Sequence, residues 1–339
     1  MLYLPRNVSS YNGHIGEEEI LIEFENNTFY LSGKNYSYIF FVNEYGFLEQ
    51  LYYGKKLPGR ENLDYAAMRE IRSFSPYIGE ARNRNFSHDL VKEEYPSFQR
   101  GDYRVPALIC RFGNGAGIYE LTYEGYEVKN GEIEVEGMPH ARYGGQTLII
   151  TLSDKRENLT VKLNYVVYDD SDVLIRNAEI INGEQGEIEL NRAFSFSEDL
   201  TDGRYELLRL EGAHLRERTP ERIPLGHGIT EMGSYRGTSS HQLNPFIALL
   251  EKHTTETSGT VYAFGLIYSG SFSLKTEKDQ FDNVRVTGGI SDVGFFWKLK
   301  SGERFVTPQA ILVYSACGLG HMSRELSDFH RRHIISSDN

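Results

Sequence analysis

The chain has 339 residues, and 36 Lys plus Arg against 48 Asp plus Glu leave a net charge of −12 at pH 7. That balance argues against a nucleic-acid face and against docking on an anionic membrane surface, because both need cationic side chains set against phosphate. Hydrophobic residues at 40% and charged residues at 25% are the proportions of a folded globule, not of a disordered chain.

In chain order, Met1 to Asn7 show no basic stretch followed by an apolar one, so no signal peptide is expected and a cytoplasmic setting is the simplest. No window approaches 18 consecutive apolar residues, so no membrane-spanning helix is expected. Ser32-Gly33 is the first of a series of turn signals. It is followed by Asn130-Gly131, Asn182-Gly183, Asp202-Gly203, Ser258-Gly259 and Ser301-Gly302. Between these turns, short apolar runs alternate at period two. Val161 to Tyr168, Ile188 to Phe196 and Asn283 to Thr287 each put one set of side chains on a core face and the other on a polar face. With 13% aromatics and little helical periodicity, this predicts an all-β, antiparallel fold.

Two stretches break the pattern. From Lys55 to Pro96 there is no clear period but many charges, among them Arg60, Asp64, Arg69, Glu70, Arg72, Arg82, Arg84 and His88, with Tyr65, Phe74, Tyr77 and Phe86 between them. So long an irregular segment tends to be functional. Arg, carboxylates and rings together suit a sugar, whose hydroxyls pair with charged planes while its apolar face stacks on a ring. A solvated loop or a subunit contact would have the same composition. At the other end, Leu319, Met322, Leu326 and Phe329 fall at spacings of three and four, so residues 319–333 are predicted to form an amphipathic helix. Its apolar face needs cover, either from the sandwich or from a following domain.

Several chemistries find no motif. The dense glycine run Gly113-Asn-Gly115-Ala-Gly117 has no helix after it, so it reads as a hairpin turn and not as a phosphate loop. Neither Asp169-Asp170-Ser171-Asp172 nor Asp199 to Asp202 has calcium-loop spacing, and His330/His333 lack a carboxylate partner. Cys110 and Cys317 make neither a disulfide framework nor a metal spacing. No metal and no cofactor are therefore expected. The five Asn-x-Ser/Thr sites at Asn7, Asn26, Asn35, Asn85 and Asn158 read as chance matches. A large β-sandwich with a His acid and a Glu base could interconvert sugar anomers, with His88, His140, His227 or His241 as the acid.

The run Ser234-Tyr-Arg-Gly-Thr-Ser-Ser-His-Gln-Leu-Asn-Pro-Phe-Ile-Ala-Leu-Leu250 resembles the amino-terminal domain of glycoside hydrolase family 36 α-galactosidases. Tyr53-Gly-Lys55, Arg72-Ser-Phe-Ser-Pro76, Glu94-Tyr-Pro96, Val261 to Phe272, Phe296 to Ala310, Leu312 to Ser315 and Gly318-Leu-Gly-His-Met-Ser323 agree in the same order. The resemblance covers nearly the whole chain. It implies a β-supersandwich of the galactose-mutarotase type over residues 1–318. Residues 319–339 would then be a helix and linker leading toward a (β/α)8 barrel that lies beyond Asn339. In the family the catalytic pair are aspartates on barrel strands, the nucleophile within a Lys-Trp-Asp motif. Here the single tryptophan, Trp297, is followed by Lys298, so no residue of this chain is expected to be catalytic.

The resemblance also lends the long loop a substrate role in a neighbouring subunit of a homo-oligomer. Arg84 takes the family's arginine position. The family's aspartate position falls on Ile71, which accepts no hydrogen bond, and leaves Glu70 or Asp64 as the nearest carboxylates. The implied function is that of the amino-terminal domain of a retaining hydrolase of terminal α-galactosides. The alternatives are a free-standing carbohydrate-binding or assembly module and a mutarotase-like sugar isomerase.

Overall fold

A computed structural model describes residues 21–60, 63–70, 86–98, 101–183 and 186–335. Its strands form three sheets, and every strand pairing among the described residues is antiparallel. The first is a four-stranded meander of Ile22–Glu25, Thr28–Ser32, Tyr36–Val42 and Leu48–Lys55. The second runs Gly228–Ser234, Phe272–Lys278, Val284–Ile290, Ile188–Leu200 and Trp297–Leu299, with Leu108–Phe112 also on the long central strand. The third has ten strands, in the order Arg216–Pro224, Tyr205–Ala213, Leu243–Glu251, Val261–Leu266, Ala310–Ser315, Val173–Asn182, Leu159–Val167, Gln146–Asp154 and Thr122–Asn130, with Arg304–Val306 on Val173–Asn182. The three runs expected from alternation fall on Leu159–Val167, Ile188–Leu200 and Val284–Ile290.

Side-chain period sets what each sheet buries. In Ala310–Ser315, Leu312 and Tyr314 point into the main core while Ile311 and Val313 point to the other face. Strands Leu243–Glu251 and Val261–Leu266 split in the same way: Ile247, Leu249 and Phe264 go inward, and Ala248, Leu250, Val261 and Ala263 outward. These strands are apolar on both faces because both are covered. The inner core joins the sheets through ring contacts, such as Phe40 stacked on Tyr165 at 5.2 Å and Phe196 on Phe264 at 5.6 Å.

The outer face carries the C-terminal helix, Gly318–Phe329, which continues as one π turn, His330–Ile334. Met322 and Phe329 are buried against Tyr168, Val173, Ile175, Ile311 and Val313, so the sandwich itself covers the deepest part of the helix's apolar stripe. Leu319 and Leu326 are only partly buried. No side chain caps the helix start. Instead the N–H groups of Gly318, Leu319 and Gly320 donate to the backbone carbonyls of Gly259, Thr255 and Glu256. Gly318 makes this possible: its φ is +80°, and a Cβ there would stand 2.5 Å from the Thr255 carbonyl oxygen.

Candidate functional site

The long loop is held at both ends. Before it, a short 3-10 turn at Asp64–Ala66 leads to Arg69. The Arg69 guanidinium forms a fork on Glu49, with both N–O distances at 2.8 Å, and lies over the Phe86 ring at 5.4 Å. After it, Phe86 packs with Phe47 and Val91, and His88 Nδ1 pairs with Glu93. Glu93 also bridges back to Glu49, so the two ends meet on one strand edge. Glu70 is exposed next to this anchor. Arg84 and Ile71 lie outside the described residues, so the substrate contacts that the resemblance implies for Arg84 and Glu70 are not tested by the geometry.

The four histidines considered as acids do not converge. His88 is buried on Glu93, His140 Nδ1 contacts the Met138 carbonyl, exposed His227 sits 3.3 Å from Asp282, and exposed His241 sits 3.9 Å from Glu217.

Behind the loop, the sandwich interior holds a layer of charge. Arg176 faces inward from strand Val173–Asn182, as its even-numbered neighbours Leu174 and Ala178 do. It donates to Glu94 Oε2 at 2.9 Å, to Tyr38 Oη at 2.8 Å and to Glu198 Oε2 at 3.4 Å. Tyr38 Oη lies 2.7 Å from Glu94 Oε1 and 2.9 Å from Glu198 Oε2. A phenol has one proton, so it can donate to only one of them, and the other contact is a hydrogen bond when that carboxyl carries a proton of its own. Glu198 is that one. Burial, reinforced by the nearby Glu94 charge, pushes its pKa up to about 8 despite a donor in Gln50; burial raises Glu94 too, but Glu94 has the closer arginine and a donor in Tyr165 at 2.7 Å. A second cluster pairs Arg104 and Arg285 with Asp102 and Asp199, including a 2.7 Å fork from Arg285 to Asp199. All of these side chains are buried and occupied by protein donors. The Glu94 and Glu198 carboxyls line no cavity among the described residues and are taken up by Arg176, Tyr38, Tyr165 and Gln50, so this pair is structural. Sequence reading missed this layer; its one visible sign was an arginine at a core-facing position of an otherwise apolar alternation.

The outer face offers a groove of about 1120 Å³ between the C-terminal helix and the ten-stranded sheet. Ser239, His241, Asn244 and Phe246 form one wall, and Leu319, Met322 and Leu326 the other. The walls therefore come from the two recognised segments, Ser234 to Leu250 and Gly318 to Ser323. The Glycosyl hydrolase family 36 N-terminal domain model matches residues 46–300, a span that contains the arginines and carboxylates of the charge layer, though not Tyr38, and the sheet wall of the groove.

The chain belongs to that family. It is 37% identical over 324 residues to α-galactosidase Mel36A of Lactobacillus acidophilus, a match covering 94% of this chain and 44% of the relative. It is 40% identical over 301 residues to the bifunctional α-galactosidase/sucrose kinase AgaSK of Mediterraneibacter gnavus, covering 87% and 32%. Among solved structures, the galactosidase domain of AgaSK superposes with a TM-score of 0.90 at 37% identity, over 94% of this chain and 45% of that one. AgaA of Geobacillus stearothermophilus, solved with 1-deoxygalactonojirimycin, gives 0.88 at 36% identity over 92% and 44%. The chain thus spans less than half the length of these family members, and the supersandwich with its helix is the family's fold.

Proposed function

We infer that this domain serves an α-galactosidase, one that hydrolyses terminal α-galactosides with retention, as its assembly and site-shaping part. The observation that carries the reading is the match of nearly the whole chain, at 37% identity, to 44% of an α-galactosidase. The carboxylates within these residues support it, because the close pair is sealed in the core and cannot serve as nucleophile and acid. The catalytic groups then belong to the part of the relatives that these 339 residues do not match. The groove seats that part, and the loop bearing Glu70 and Arg84 reaches a galactoside held by a second subunit of a homo-oligomer.

The test is turnover. The 339-residue chain alone should release no nitrophenol from a nitrophenyl α-galactoside above a blank. Turnover that co-purifies with the chain would overturn the reading, and mutarotation of galactose followed by polarimetry would favour the isomerase instead.

A further inference from the structure

On the side of the C-terminal helix away from the groove, His321 and Glu325 stand one turn apart and meet Asp172 at the start of strand Val173–Asn182. His321 Nε2 lies 3.7 Å from Asp172 Oδ2 and 3.9 Å from Glu325 Oε1, and the three ligand atoms all fall within 4.8 Å of one another. The Asp172 carboxylate is buried and that of Glu325 nearly so, while His321 sits at the rim with a quarter of its side chain exposed. Two carboxylates brought this close out of water repel each other unless a cation joins them. The chain supplies a partial answer: Lys34 Nζ reaches Glu325 Oε1 at 3.2 Å, from a side chain that is 45% exposed and free to swing away.

The surroundings already orient the ligands. Asn35 donates its backbone N–H to Asp172 Oδ1 at 2.7 Å and its side-chain amide to Oδ2 at 2.9 Å, and the Asp172 N–H donates to Glu325 Oε2 at 3.3 Å. Such outer hydrogen bonds are what hold metal ligands in place. The His321 Nδ1 atom is buried and has no hydrogen-bond partner among the described residues. Ligand atoms on a zinc ion at about 2.0–2.1 Å stand about 3.3 Å apart. The two His321 spacings, 3.7 and 3.9 Å, need to close by about half an ångström, the carboxylate oxygens lie within 4.8 Å of each other, and two of the three ligands move with one helix.

We propose that Asp172, His321 and Glu325 form a divalent transition-metal site of the zinc type, which pins the C-terminal helix to the sheet. One imidazole nitrogen with two carboxylate oxygens is a set that first-row ions accept and that an all-oxygen cation such as magnesium does not favour. Lys34 is the built-in competitor, displaced into solvent when the metal enters. Asp172 is far in sequence from the His321/Glu325 pair, and one i, i+4 pair is too common a spacing to announce a site. The site does not depend on the α-galactosidase reading.

The experiment is calorimetric titration of the chelator-treated chain with zinc chloride, together with thermal unfolding with and without zinc. One zinc per chain and a raised Tm are expected, since a ligand that binds only the folded state stabilises it. His321→Ala, a rim substitution, should lose the one-to-one isotherm and the Tm shift. Lys34→Met should tighten zinc binding, because the competing ammonium is gone; a merely structural ion pair would lower the metal-free Tm and leave zinc affinity unmoved. No stoichiometric binding, or binding unchanged in His321→Ala, would overturn the site and place any bound zinc elsewhere, for example at His330.

Discussion

At the residue scale, the shared Tyr38 proton makes a sharp distinction between two buried groups. Arg176→Met leaves the carboxyls of Glu94 and Glu198 in the core without their cation. Breaking a buried pair in this way costs about 3–5 kcal/mol. Glu198→Gln replaces a neutral acid by a neutral amide of the same shape, and urea unfolding at pH 6 should give a stability within about 1 kcal/mol of the parent. The two also differ in pH response. The folded pKa of Glu198, near 8, is raised above the ordinary 4.5 by burial first. Its contribution is therefore complete below about pH 4.5 and is lost as pH rises toward 8, where the unfolded carboxylate has already ionised and the folded one has not. Asp102 runs the opposite way: the neighbouring Arg104 and Arg285 hold its carboxyl low, so its contribution is lost as pH falls. The parent should lose stability between pH 6 and 8 and Glu198→Gln should lose less. Equal losses in both proteins would show that Glu198 is already ionised at pH 6.

At the scale of elements, the C-terminal helix shows why amphipathic periodicity gives a face but not its cover. The spacing of Leu319, Met322, Leu326 and Phe329 was plain in the sequence. It could not say which of them meet the sandwich, because that depends on where Gly318 turns the chain. The turn lays the helix across strands Val173–Asn182 and Ala310–Ser315, so Phe329 packs edge-on to Tyr168 at 5.1 Å and Met322 is buried with it. Leu319 and Leu326 face the groove. Phe329→Ala should destabilise the chain by about 3–5 kcal/mol, the usual range for an aromatic deleted from a packed core. A loss below about 1 kcal/mol in urea unfolding would mean that the helix is not docked on the sheet in solution.

At the scale of the whole molecule, the anchor at Arg69, Glu49 and Phe86 ties Glu70 to the edge strand of the four-stranded sheet. A side chain so mounted can act at a distance from its own core. In a form of the protein that carries the part matched only in the relatives, Arg84→Ala should lower kcat/KM by roughly tenfold, at about 1.4 kcal/mol per decade, with folding unchanged. Unchanged kinetics would mean that Ile71 marks a loop that has lost its substrate contact and retains only a structural role.

What local pattern determines here is the all-β class, three of the strands, the helix and the family. Each is written at short range, by alternation, by turn residues or by a run such as Ser234 to Leu250. The tertiary structure decided what the charged residues do. Arg176, Glu94, Glu198 and Tyr38 come from four distant segments, and Asp172 is far along the chain from His321 and Glu325, which share one helix. In sequence each is one more polar residue among 84 charged ones. Only the stacking of sheets and helix brings them within hydrogen-bond range and removes the water. Burial is what turns an ordinary carboxyl into a protonated one or a cation-seeking one, and burial belongs to the fold, not to neighbours along the chain.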